Sequence, residues 1–463
     1  MNFYLVLALS GFLAFYLIKI KRTLFYALAE QSVSLLNNLL SNEDDDAKLE
    51  LLQSSTKKLV FTLLKNVVLF VVALAVAVVP VILFSWISGL DFNEIQLSSW
   101  PSILALSIGA SLPFVISFKN KNKSDYSELS QLLHRLALNN YTIGYRLFKR
   151  EAKVLKKKNT KQNERFLIVT GLARAGTTSL LNGLQQTGCF SSLSYANMPF
   201  LMSPNAWRKI YNPHKGKEKE RSHGDGIKIG LDSTEALEEY FFKLKANDSF
   251  IRENELKEYS LSEDDYKDYI DYQAVVKNAS NKIYLAKNNN FLLRYNSVRK
   301  YNQEFIAVVL CRHPLYHAAS LLEKHLSYSK LQADDAFVLE YMNWLGHYEF
   351  GLNQKSFKFK DGKQIETKNK ECLNYWLEVW INYYQKALTI EDPNTILLTY
   401  EQLCNEPNEV IKSLLSKFSI NETNVQLNTH KNKREVKFEY SQELLSKALD
   451  VYNKIEHVQL NRK

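Results

Sequence analysis

Three long, almost uncharged apolar runs lie within the first 120 residues, at 3–20, 66–87 and 101–118, and set that region apart from the remainder of the chain. A bilayer core requires about 20 apolar residues of helix, so each run predicts a membrane span. Lys19, Lys21 and Arg22 close the first run. A cleavable signal would place its positive charge ahead of the apolar stretch and end on small residues, so an uncleaved anchor is expected. Gly109 and Pro113, inside the third run, are tolerable in a packed membrane helix. Between the first two runs, 23–40 has apolar residues at helical spacing, as for a helix along the membrane, and 42–46 reads as a solvated acidic turn.

Charge orients these spans. Lys48, Lys57, Lys58 and Lys65 add to the cations after the first span, and Lys119, Lys121 and Lys123 follow the third. The connection between the second and third spans holds Asp91 and Glu94 without a lysine or arginine. The positive-inside rule then places the N-terminus outside and everything after the third span in the cytoplasm, with Trp86 and Trp100 as interfacial anchors. The expected organisation is a membrane anchor over 1–120, a basic linker helix over 121–160 and a cytoplasmic domain over 161–463. The inward-facing topology suits a bacterial inner membrane.

After residue 160 the apolar runs become short. Those near 166, 283, 305 and 396 alternate with helical patterns, which predicts an α/β, doubly wound fold with a central parallel sheet and a ligand at the strand C-termini. A strong amphipathic helix is expected over 372–388, with Trp376 and Trp380 in the core. The charged, tyrosine-rich stretch 248–281 reads as surface helices. At 463 residues and 46% apolar content the chain can fill a sizeable core. Its formal charge of +10 suits nucleic acid, an anionic membrane or a polyanionic small molecule. The four cysteines form no Cys-x-x-Cys pair, so neither a zinc site nor a disulfide framework is indicated.

The chemistry concentrates after the first short run. Gly171 and Gly176 stand five positions apart, followed by Thr177, Thr178 and Ser179 at the start of a helical pattern. Strand, glycine loop and helix N-terminus together cradle an anion, because the loop's N–H groups converge and the helix adds partial positive charge. The spacing matches the front of a Walker A loop, but its lysine is missing and Arg174 lies within the loop instead. The later strands end in Cys311-Arg312 and Thr399-Tyr400, so none offers the aspartate that would hold magnesium. An ATP-dependent small-molecule kinase is therefore the weaker reading, as is a membrane scaffold that binds nucleotide without turnover.

Arg174-x-Gly176-Thr177-Thr178-x-Leu180 after a strand resembles the 5′-phosphosulfate loop of sulfotransferases that use 3′-phosphoadenosine-5′-phosphosulfate (PAPS). A second motif agrees: the run 305–311 ends in Arg312-His313-Pro314, and Ser320 follows eight residues after Arg312, which resembles that family's 3′-phosphate element. The resemblance implies a three-layer P-loop-like domain using PAPS as co-substrate with no metal and no nucleic-acid partner. Arg174, Ala175, Gly176, Thr177, Thr178 and Ser179 would hold the 5′-phosphosulfate, and Arg312 and Ser320 the 3′-phosphate. Lys287 would assist transfer, although Asn289 stands where the family often has proline. Tyr400-Glu401-Gln402-Leu403 resembles the family's motif after its last parallel strand, and the basic group ending at Arg434 its late loop over the 3′-phosphate. The acceptor would be a hydroxyl or amine, such as one on a membrane-linked glycan or lipid.

Such an acceptor must lose a proton, so a base is needed within hydrogen-bond reach. His223 or Asp225, among flanking glycines, is the leading candidate; Glu238 and Glu239 come next, while Asp232 and Glu235 read as a helix cap. His347 and Glu349 are candidates to line the acceptor pocket. His313 and His317 stand four apart but read as packing rather than metal ligands.

Overall fold

A computed structural model of the chain describes residues 3–89, 97–116, 126–157, 165–211, 219–220, 228–229, 236–362, 364–420 and 436–461. The chain divides into two compact units, Met1–Ile143 and Gly144–Lys463.

The first unit is helical: Phe3–Ile20, Thr23–Leu39, Asp45–Ser88, Trp100–Val115 and Glu128–Leu138. Two of these, Phe3–Ile20 and Asp45–Ser88, are long and apolar enough to cross a membrane. The third expected span is a shorter apolar helix, Trp100–Val115, and residues 117 and 118 lie outside the described residues. Phe3–Ile20 packs on Trp100–Val115 at their glycines. A Cβ on Gly109 would run into the backbone of Ala8, and one on Gly11 into the carbonyl of Leu106. Small residues are what allow apolar helices to approach this closely. The acidic turn at 42–46 belongs to a helix start, with Asp44 as N-cap and Asp45 and Asp46 in the first turn, where the helix dipole favours negative charge. From there one helix runs 44 residues to Ser88, about 66 Å at 1.5 Å per residue. The basic stretch expected as one linker helix holds two, Glu128–Leu138 and Tyr141–Lys156.

The second unit contains strands β1 (Phe166–Thr170), β2 (Phe190–Ser191), β3 (Lys219–Glu220), β4 (Lys228–Ile229), β5 (Glu255–Lys257), β6 (Ile283–Lys287), β7 (Ile306–Cys311), β8 (Ser356–Lys358) and β9 (Thr395–Thr399). Five of them form a parallel sheet in the order β2-β6-β1-β7-β9. The central register pairs Val169 with both Lys287 and Val308, so β6 stops just short of the end of β1 while β7 runs on past it to Cys311. Alternate residues of β1 face opposite layers. Leu167 and Val169 share a core with Leu180, Leu181 and Leu184 of helix Thr177–Gln186 and with Val410 and Leu414. On the other face Phe166 meets the rings of Tyr269 and Phe305, and Thr170 Oγ1 lies 3.1 Å from the hydroxyl of Tyr383. The result is the expected α/β arrangement, a parallel sheet between helical layers.

The tyrosine-rich helix, Glu263–Lys277, corrects the sequence expectation. It is buried rather than superficial: Tyr269 and Tyr272 are fully enclosed. Its charges are paired as the helix packs. Asp268 accepts from Tyr145 at 2.6 Å, Lys149 at 2.6 Å and Lys245 at 2.9 Å, and Asp271 meets Lys156 at 2.6 Å.

Beside it, Arg294 is 0% exposed and makes a two-pronged ion pair with Glu239, at 2.6 and 2.7 Å, with its guanidinium over the ring of Phe242. Removing one partner of a buried pair leaves an uncompensated charge, at about 3–5 kcal/mol. Glu239→Gln is expected to lower the denaturant midpoint of the detergent-solubilised protein by a corresponding amount, whereas the exposed Glu443→Gln, which loses only an i,i+4 pair with Lys447, should leave it within experimental error.

Candidate functional site

The site is built where β1, β6 and β7 end. After Thr170 the chain turns through Gly171 (φ +138°), Arg174 (φ +73°) and Gly176 (φ +97°) into helix Thr177–Gln186. Both glycines are required on two counts. Their φ values lie in the left-handed region, and a Cβ on Gly171 would strike the Leu310 carbonyl, one on Gly176 the ring of Tyr400. Arg174 holds this uncommon backbone without being glycine, a local cost that surrounding structure must maintain. Part of that structure is His317, whose Nε2 lies 2.8 Å from the Ala173 carbonyl, while the indole N–H of Trp380 donates to its Nδ1 at 3.2 Å. A donor on Nδ1 fixes the proton on Nε2, which donates to the loop. Ala175 and Thr177 are buried, Arg174, Gly176 and Thr178 half-buried, and Ser179 exposed.

The second motif arrives beside this loop. β7 ends at Cys311, His313 caps helix Pro314–Asp334, and proline occupies its first turn, where a missing N–H costs nothing. Arg174 Nε donates to Ser320 Oγ at 3.4 Å, and Arg312 Nη1 donates to the Arg174 carbonyl at 3.4 Å. The Arg312 guanidinium sits 4.7 Å from the ring centre of Tyr400. Burial pushes Arg312 below the ordinary arginine range; Tyr400 and Glu401 oppose this, and Arg174 adds to it as a like charge. Glu401 also accepts from the His313 N–H at 3.1 Å and from the Tyr452 hydroxyl at 3.0 Å. Lys287, the last residue of β6, donates from Nζ to Thr178 Oγ1 at 2.9 Å. Segments far apart in sequence thus bring Arg174, Thr178, Lys287, Arg312 and Ser320 together at the C-terminal ends of the central strands.

Three candidates, His223, Asp225 and Arg434, lie outside the described residues, as do Asp232 and Glu235. The reserve bases have other roles in the described structure. Glu239 is held by Arg294. Glu238, 2% exposed, accepts from Tyr269 at 2.5 Å, Tyr284 at 2.9 Å and Asn288 at 2.9 Å. Burial pushes its carboxyl up while these donors oppose the rise. Next along, Asn289 Nδ2 donates to Glu349 Oε1 at 2.7 Å, and His347 Nδ1 stands 3.3 Å from the same oxygen. Sequence reasoning reached His347 and Glu349 only as pocket-lining candidates, and missed Asn289 and His317 as supports, since neither belongs to a motif of its own.

No family model and no curated protein matches the chain. The chain is similar to sulfotransferases of known structure. STF1 from Mycobacterium tuberculosis H37Rv is 12% identical, with 82% of this chain and 95% of that one covered at a TM-score of 0.38. STF9 from Mycobacterium avium is 15% identical, with coverage of 81% and 86% and a TM-score of 0.34. The sulfotransferase domain from the curacin biosynthetic pathway is 13% identical, with coverage of 64% and 99% and a TM-score of 0.33.

Two outcomes test this geometry. Gly176→Ala forces a side chain into the left-handed region at about 1–3 kcal/mol and against Tyr400, so thermal unfolding should shift down while Gly188→Ala, also at positive φ but with open space around it, shifts less. The second concerns His325, whose Nδ1 accepts the Gly351 N–H at 3.1 Å. Burial pushes its imidazole down to about 4, with Lys370 adding to the effect, against about 6.5 when unfolded. The folded state therefore binds fewer protons between these values, and the stability from this group is complete above pH 6.5 and lost as pH falls toward 4. Melting temperatures measured across that window should fall more steeply in the wild type than in His325→Gln.

Proposed function

We propose that this chain transfers a sulfuryl group from PAPS to a hydroxyl or amine acceptor. The observation that carries this reading is the meeting of the two anion-binding motifs: Arg174 of the glycine loop lies against Ser320, and Arg312 against the loop's own carbonyl. Two cradles that close together suit one ligand with two anionic ends. In this reading the N–H groups of 175–179 and the Arg174 side chain hold the 5′-phosphosulfate at the start of the helix. Arg312 and Ser320 hold the 3′-phosphate, the group that separates PAPS from ordinary adenylates.

Transfer requires the acceptor oxygen or nitrogen to bond to sulfur as the bond from sulfur to the 5′-phosphate oxygen breaks, leaving the electron pair on adenosine 3′,5′-bisphosphate. Charge then gathers on the bridging and sulfuryl oxygens. Arg174 in the loop and Lys287 at the end of β6, against Thr178, would offset it, the service that fixed cations perform in phosphoryl transfer. With Phe3–Ile20, Asp45–Ser88 and the shorter apolar helix Trp100–Val115 all crossing, the distribution of basic residues supports a cytoplasmic domain, in keeping with an acceptor carried on a membrane-linked glycan or lipid.

Calorimetry on the detergent-solubilised chain tests the donor assignment. Adenosine 3′,5′-bisphosphate should bind without metal and more tightly than 5′-AMP. Arg312→Ala should weaken it roughly 10- to 100-fold, the range of a charged hydrogen-bond donor. Preference for ATP with magnesium would overturn the reading.

A further inference from the structure

We propose that His347 is the base that takes the acceptor's proton, with Glu349 and Asn289 as the residues that position it; the assignment rests on the sulfuryl-transfer reading above. It places the base on a segment different from that of His223 and Asp225.

The first support is the chain of contacts. Asn289 lies two residues beyond Lys287, the residue that reaches Thr178. Its carbonyl accepts from the Tyr383 hydroxyl at 3.0 Å, and that hydroxyl lies 3.1 Å from Thr170 Oγ1 at the end of β1. Asn289 is therefore tied to the strand that enters the glycine loop. Its side-chain amide grips Glu349 at 2.7 Å, and Glu349 meets His347 Nδ1 at 3.3 Å. Burial works to raise the Glu349 carboxyl, but its contacts with His347 and the amide of Asn289 leave it below the usual carboxylate range. An ionised Glu349 holds the imidazole proton on Nδ1 and leaves Nε2 as a proton acceptor, the division of labour that a base with an orienting carboxylate requires. The exposures agree: the His347 side chain is 20% exposed and Glu349 9%, so the imidazole is the member that a substrate can reach.

A second observation is independent of this relay. Asn289 is 6% exposed, and its Oδ1 meets no hydrogen-bond donor among the described residues. The amide cannot be turned to relieve this, because its NH₂ must face the Glu349 carboxylate. A buried acceptor left in this state calls for a donor beyond the described residues. A hydroxyl-bearing ligand supplies one.

The loop that carries the pair is also built to hold still. It lies between Gly346 and Gly351, both at positive φ and packed closely on Glu239 and Gln332 respectively. Asn290 Nδ2 donates to the Gly346 carbonyl at 3.0 Å, the Gly351 N–H donates to His325, and Asn353 Nδ2 donates to the His347 carbonyl at 3.1 Å. Preorganisation of this kind is what a positioned base needs.

In the proposed step, the acceptor O–H gives its proton to His347 Nε2 as its oxygen bonds to sulfur; the sulfur–phosphate oxygen bond breaks, and adenosine 3′,5′-bisphosphate departs with the electron pair. Water in the acceptor site enters the same step and yields sulfate, which allows a test with PAPS alone. Sulfate release by the detergent-solubilised full chain is measured from pH 5 to 9, beside calorimetric binding of the bisphosphate.

His347→Asn should lower release about 10²- to 10³-fold, within the range of general-base catalysis, and flatten the fall in rate on the acid side, with bisphosphate binding unchanged. Glu349→Gln should lower release less and keep a pH-dependent limb, which a purely structural role would not produce. Binding intact with release by His347→Asn within threefold of wild type and an unchanged pH profile overturns the base assignment alone. Wild-type protein that binds bisphosphate but releases no sulfate also overturns it. Failure of the wild type to bind bisphosphate brings down the sulfuryl-transfer reading, and this assignment with it.

Discussion

The parallel pairing of β1 with β7 is the constraint on which the site depends. Its register sets Thr170 beside Val309 and leaves no room for a side chain where Gly171 passes the Leu310 carbonyl. Once the strands are locked at that spacing, the loop leaving β1 and the helix leaving β7 have to emerge side by side. Arg174 and Ser320, 146 positions apart in sequence, meet as a result. Neither motif makes this approach alone. It is a property of the sheet order, in which β1 is flanked by the strand that ends in Lys287 and the strand that leads to Arg312.

The layer behind the strand ends holds the arrangement in place. Helix Leu373–Leu388 supplies Trp380, whose indole spans His317 and the Arg312 carbonyl, both at 3.2 Å, and Tyr384, whose hydroxyl donates to the Leu310 carbonyl at 2.7 Å. Its neighbour Tyr383 joins β1 to Asn289. One amphipathic helix thus fixes the glycine loop, the arginine after β7 and the segment after β6. A polar atom buried beside a loop is costly unless it is paired, and these aromatic residues supply a pairing group on a rigid body with few rotamers.

The strands buried on both faces were legible in the sequence, because β1, β6, β7 and β9 read as short apolar runs. β2, two residues long, carries no pattern of its own and was not. The glycine loop and the Arg312 motif were also legible, since left-handed backbone and close approach restrict residue type within a short window. Contacts made across the fold left no such trace: nothing near Asn289 announces Glu349, 60 positions later. Helix Glu263–Lys277 was misread for a related reason. Its aspartates look solvated until the lysines that neutralise them, from other helices, are brought alongside.

The two cradles also bear on turnover. On the sulfuryl-transfer reading, both recognise phosphate, and the spent nucleotide keeps both phosphates after giving up its sulfuryl group. The interactions that draw the donor in therefore retain the product almost as well, and the product forgoes only the hold on the departing sulfuryl oxygens. On that reading free bisphosphate competes with the donor for both cradles, so a phosphatase that removes its 3′-phosphate would relieve the competition without touching this protein.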